Sequence, residues 1–131
     1  MCRVLHKNAA LMKARSIGFS EINASLAARL YTTIKRSRTV ITCFNDTYLN
    51  GTFSKLDHAL TFINTNADGF FKPRLTDKAL EKKSGYQIKI DGQFTDFGWL
   101  SVVEGINGSK PSNIRGERVD LLIYDEAGSW P

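Results

Sequence analysis

Several things are scarce in this 131-residue chain, and each shortage removes a class of protein. Two cysteines, Cys2 and Cys43, are too few for a disulfide framework and point to a reducing interior. With only His6 and His58 beside them, the side chains for a zinc site are lacking as well. No uncharged run exceeds ten residues (His58 to Ala67), about half of what a membrane-spanning helix needs. The start, Met1 to Lys7, has no apolar stretch long enough for a secretory signal. The chain does not lack apolar residues, however. At 42% apolar and 24% charged it suits a soluble globular fold, and its length suits one domain or part of one. Composition leaves a small cytosolic α/β or α+β protein.

Acidic residues are the scarcer sign of charge, 13 against 18 Lys and Arg, a net +5. That balance is compatible with a polyanionic partner without requiring one. The cations form two clusters, Lys35-Arg36-Ser37-Arg38 and the group Lys72, Arg74, Lys78, Lys82 and Lys83. The first suits a helix C-terminus, where the macrodipole already favours cations. The second lies in a polar, turn-rich stretch. It is the better candidate for touching a nucleic-acid backbone, although a solvated loop explains the same charges.

Periodicity predicts the elements. Asn8 to Ala14 reads as a short buried strand, followed by the loop Arg15 to Ser20. From Glu21 the pattern turns helical, with Ile22, Leu26, Leu30 and Ile34 recurring every four residues and Ala27 and Tyr31 alongside. Thr39 to Phe44 is β-branched and apolar, a buried strand. Thr52 is positioned to cap a second helix whose face is Phe53, Leu56, Ala59, Leu60 and Ile63. Residues 64–84 read as loop, with a helical turn near Asp77 to Lys83. Tyr86 to Ile90 and Trp99 to Val103 read as antiparallel or edge strands, and Val119 to Tyr124 as a central parallel strand. The opening order fits βαβ units and a mainly parallel sheet.

Two stretches carry possible chemistry. Lys13-Ala14-Arg15-Ser16-Ile17-Gly18-Phe19-Ser20 stands between a strand and a helix, where a phosphate-binding loop belongs. Gly18 and Ser20 fit the second glycine and the hydroxyl residue of that motif. Lys13 replaces its first glycine and Phe19 its lysine. Gly18 can take positive φ, and backbone N–H groups there, with the start of the helix, can face an anion. Ser20 can ligate Mg²⁺, and Lys13 or Arg15 can supply the missing cation. The second stretch, Leu121-Leu122-Ile123-Tyr124-Asp125-Glu126, is an apolar strand ending in two acids. In a nucleotide hydrolase the first holds the Mg²⁺ shell and the second acts on water. A core strand stopping at solvated acids has the same sequence. Both stretches end at the carboxyl side of predicted strands, where open α/β sheets bind ligands.

These two stretches, with Asn113-Ile114-Arg115-Gly116 between them and Ala127 after the acids, resemble the ATPase domain of tailed-bacteriophage (prophage) large terminase subunits. The resemblance lies in the deviant loop with Arg15 and the displaced Lys13, in Ser20, and in Asp125-Glu126-Ala127. It implies a P-loop NTPase three-layer α/β sandwich with a mainly parallel sheet, acting in a viral DNA-packaging motor. It implies ATP and Mg²⁺ as cofactors, with residues 13–20 around the phosphates and Ser20 and Asp125 at the metal. It also implies Glu126 and Arg15 as catalytic residues. The implied partners are double-stranded DNA, a small terminase subunit and a portal protein, within a homo-oligomeric motor in the host cytoplasm.

Residues 1–131 are expected to be a partial ATPase domain without the nuclease domain of such proteins. The alternatives are another DNA-dependent P-loop ATPase, or an inert remnant that binds nucleic acid through Lys72 to Lys83. Among single residues, His58 reads as surface or boundary, Cys43 as a buried thiol, and Phe97 and Trp99 as core, with stacking on bases as their alternative. Arg115 reads either as a phosphate or DNA contact or as a loop anchor.

Overall fold

The computed structural model describes Ala10 and residues 18–68, 74–109 and 118–125. The fold is built around β1 (Arg38–Cys43), in which every residue after Arg38 is buried. Thr, Val and Ile dominate it, the composition of a strand covered on both faces. It pairs in parallel with β6 (Val102–Asn107) on one side and with β7 (Leu121–Tyr124) on the other. Antiparallel β3 (Glu81–Ser84) and β2 (Arg74–Lys78) extend the sheet beyond β6, giving the order β2-β3-β6-β1-β7. The architecture is α/β with a parallel centre. Among the described residues no helix is long and apolar enough to cross a membrane.

Both helices, α1 (Phe19–Thr33) and α2 (Asp46–Asn66), join one core with Ile41, Cys43, Val103 and Ile123 of the sheet. The described residues therefore supply two of the three expected layers, with both helices on one face. The expected α1 face holds at Ala27, Leu30 and Tyr31 and fails at its two ends. Ile22 and Ile34 are exposed, while Ala24, Ala27, Ala28 and Tyr31 are buried beside Leu30. Small alanine side chains let α2 approach closely, and that approach, rather than side-chain size, decides the buried face. On α2 the expected face holds, with Leu49, Phe53, Leu56 and Leu60 buried and Ala59 and Ile63 packed at its margin. Gly105 of β6 makes room for it: a Cβ there would lie 2.8 Å from the Phe53 ring. Tyr31 is fully enclosed, and burial pushes its phenol pKa up against the opposing charge of Arg74.

Four other expectations are corrected. α2 begins at Asp46 rather than at Thr52, because Asn45 Oδ1 accepts the Thr47 and Tyr48 N–H groups at 2.8 and 3.2 Å. Residues 74–84, read as loop with a helical turn, form the β2–β3 pair. Lys82 can enter that sheet because Asp77 and Asp57 accept its ammonium at 2.6 and 3.2 Å. The strand expected at Trp99 to Val103 runs from Val102 to Asn107 in the sheet interior, parallel to β1 and antiparallel to β3. Val119 to Tyr124 is parallel as expected, but among the described strands it ends the order.

β4 (Tyr86–Ile90) and β5 (Gln93–Phe97) form a separate antiparallel hairpin. Its turn, Asp91-Gly92, has φ of 51° and 81°, the paired positive angles of a two-residue hairpin turn.

Candidate functional site

The parallel centre brings three chain segments together at the carboxyl ends of β1 and β7. The first is the start of α1. Gly18 precedes it with φ 72° and ψ 22°, a left-handed conformation that costs glycine little, and its carbonyl accepts the Glu21 and Ile22 N–H groups. No side chain caps this end. The first amides of a helix have no acceptor within it, so they and the positive end of the dipole remain available to an anion.

The second segment is the end of β7. The Asp125 N–H donates to the Thr42 carbonyl at 3.0 Å, continuing the β1–β7 ladder by one bond. That bond fixes where the carboxylate emerges, and the residue is only 3% exposed. The third segment is the start of α2, which follows β1 after the Asn45 cap. Thr52, in its second turn, lies where its hydroxyl donates to Asp125 Oδ2 at 2.9 Å. A buried carboxylate requires such donors.

These segments line an open cavity of about 140 Å³, formed by Ser20 from α1, by Thr47, Tyr48, Gly51, Thr52 and Lys55 from α2, and by Asp125. At roughly 30 Å³ per water, that is room for about four or five waters, the size of a phosphate group or a hydrated cation. Ser20 and Asp125, near opposite ends of the sequence, thus share one cavity. Phe19 is half-buried at the first position of α1. Lys13, Arg15, Ser16, Ile17 and Glu126 lie outside the described residues, as does Arg115. Sequence reasoning missed Lys55 and misassigned Thr52. Their three-residue spacing puts them on one helix face, a signal that becomes visible once the helix is started at Asn45 rather than at Thr52.

The described cations of the second basic cluster each face a carboxylate. Arg74 pairs with Asp77 at 3.0 Å, Lys78 with Glu81 at 3.9 Å, and Lys83 with Asp96 at 3.3 Å, in addition to the Lys82 pairs above. Hydrogen bonding from Lys82, with the Arg74 charge, holds the Asp77 carboxyl below its ordinary pKa. Hydrogen bonds from Gln87 and Lys83 act in the same direction on Asp96. A patch whose charges are matched locally offers less net attraction to a polyanion than the same cations would alone. Lys72 lies outside the described residues. In the first cluster Arg38 pairs with Glu104 at 2.6 Å, and Lys35 and Arg36 are exposed after α1. His58 is exposed, Cys43 is buried, and Phe97 stacks on Tyr86 with centroids 6.3 Å apart. Among the described residues no group of three His, Cys, Asp or Glu side chains is arranged to hold a metal.

No protein-family model matches the chain, and no curated protein matches its sequence. Solved structures do. The large terminase ATPase domain of Thermus phage P74-26 is similar with a TM-score of 0.69 over 99% of this chain, at 17% identity. An arginine-to-alanine variant of that domain gives 0.69 over 99% at 15% identity. This chain spans 58% of the length of either neighbour. At that identity the likeness is one of fold: the chain has the α/β fold of a phage large-terminase ATPase domain.

Proposed function

We propose that this chain binds Mg²⁺–ATP at the cavity between α1, α2 and Asp125, and hydrolyses it as part of a viral DNA-packaging motor. The observation that carries the reading is the meeting of Ser20 and Asp125 in one cavity, beside the uncapped start of α1. The fold of a terminase ATPase domain supports it. The donor set fits the implied metal. Mg²⁺ prefers hard oxygen ligands and keeps several waters, so one hydroxyl and one carboxylate suffice beside substrate phosphate. Ser20 and Asp125 would hold it, and its charge would neutralise phosphate oxygens as the bond to the leaving group lengthens.

The chain's own residues do the rest. Gly18 turns the backbone so that the first N–H groups of α1 face the phosphates. Thr52 holds Asp125 in one orientation, so the carboxylate needs no rearrangement when substrate arrives. Lys13 and Arg15 add positive charge from the loop, and Glu126, next after Asp125, accepts the proton of the attacking water. Double-stranded DNA, a small subunit and a portal are the partners of this role, exercised by a homo-oligomer in the host cytoplasm.

Thermal unfolding with and without Mg²⁺–ATP tests the reading. Binding raises Tm in a concentration-dependent way, by about 2.7 kcal/mol of stabilisation at 100 times Kd. Ser20→Ala combined with Asp125→Asn removes most of the rise. No shift at millimolar Mg²⁺–ATP refutes the proposal. Glu126→Gln should retain the shift and abolish phosphate release, and unchanged turnover would remove Glu126 from its role.

A further inference from the structure

Phe19 stands where the generic phosphate loop has its lysine, and the chemistry of that lysine depends on where its ammonium sits, not on its place in the sequence. Among the described residues lining the cavity, Lys55 alone carries positive charge. It stands one helical turn after Thr52, the residue that holds Asp125, and on the same face of α2. Its side chain is 38% exposed. Glu21 Oε1 lies 4.0 Å from its Nζ, the outer limit of an ion pair, and at an exposed site such a pair is weak. Lys55 lines both this cavity and the larger neighbouring groove that holds Glu21, and its long side chain, without a strong partner among the described residues, can reach either.

We infer that Lys55 also binds the β- and γ-phosphates of the nucleotide, adding from α2 a cation to those that Lys13 and Arg15 bring from the loop. The inference rests on the nucleotide reading above. In this arrangement Ser20 and Asp125 approach the phosphates from one side and Lys55 from the other. The lysine offsets the repulsion between phosphate and the Asp125 carboxylate. Glu21, in the first turn of α1, lies outside the cavity lining and competes for the same ammonium.

The test measures equilibrium binding of Mg²⁺–ATP to the 131-residue chain and its variants, alongside Tm without nucleotide. Lys55→Gln should weaken binding by about 10- to 100-fold, the range for a lost hydrogen bond to a charged group. Tm without nucleotide should stay unchanged, and Lys55→Arg should recover most of the affinity. Glu21→Gln, which leaves Lys55 in place, should tighten binding by about threefold. Wild-type affinity in Lys55→Gln overturns the inference and leaves the nucleotide reading standing. Weakening that Lys55→Arg does not rescue also overturns it, since charge is then not the cause. Unchanged or weaker binding in Glu21→Gln overturns it without any change at Lys55. A wild-type chain that binds no Mg²⁺–ATP overturns both readings together.

Discussion

The layer of α1, α2 and β1 and the β4–β5 hairpin both carry large apolar side chains, yet only the first encloses them. Tyr31, Phe53, Leu56 and Ile41 are at most 1% exposed, whereas Ile88, Ile90 and Phe94 of the hairpin are 43, 47 and 69% exposed. The hairpin holds its register by local means: the Asp91-Gly92 turn and the ladder from Tyr86↔Phe97 to Ile90↔Gln93. The layer holds its register through contacts distant in sequence, and it is the part that carries Ser20, Thr52, Lys55 and Asp125. The positions of the proposed nucleotide site are thus attached to the part where packing defines them. The most direct way to break the comparison is Phe53→Ala. It leaves a cavity against Gly105, and the expected loss is about 3–5 kcal/mol. Chemical denaturation measures it. A loss below 1 kcal/mol would mean that the layer does not depend on its packing.

The same contrast explains which features were legible beforehand. β1 was readable because a strand buried on both faces is apolar along its whole length. The hairpin strand β4 was readable because Tyr86, Ile88 and Ile90 alternate with polar residues. The α1 face was readable only at Ala27, Leu30 and Tyr31, because the large residues Ile22 and Ile34 extended the stripe to positions that the structure leaves exposed while it buries Ala24 and Ala28. β2 and β3 were hidden by their charges. Lys82 reads as a surface residue until Asp57, on another element and 25 residues earlier in the chain, is seen to neutralise it. The site divides in the same way. Ser20 and Asp125 sit at element ends with recognisable neighbours. Lys55 belongs to no motif, and only the meeting of α2 with the ends of β1 and β7 reveals its place.

Lys82 also marks the seam between the helix layer and the antiparallel end of the sheet, and pH sharpens its role. Asp77 titrates below its ordinary value because Lys82 and Arg74 favour its charged form. A depressed carboxyl contributes stability above its unfolded pKa, about 4, and that contribution is lost as pH falls through the lower folded value. Asp77→Asn should therefore be less stable than wild type at neutral pH and should converge with it under acid. The gap should be modest, because Asp77 is half-exposed and Asp57 still partners Lys82. Urea midpoints across pH 2 to 7 measure it. A gap that widens toward acid would contradict the assignment of the shift.

The smallest effect belongs to the hairpin. Phe94 is 69% exposed, and the Lys89 ammonium lies 5.9 Å from its ring centroid. Phe94→Ser removes that cation–π contact and little else, so the expected loss is about 0.5 kcal/mol, the scale of an exposed pair of this kind. The Asp91-Gly92 turn is unaffected, since its positive φ angles depend on its own two residues, and the Ile90↔Gln93 register should survive. Amide exchange along β4 and β5 provides the second readout. In the variant these amides should exchange faster while those of β1 stay protected, because local opening of the hairpin does not require the helix layer to open. Equal acceleration in β1 would mean that the hairpin and the layer unfold as one unit, and the division between local and packed stability would fail at this point.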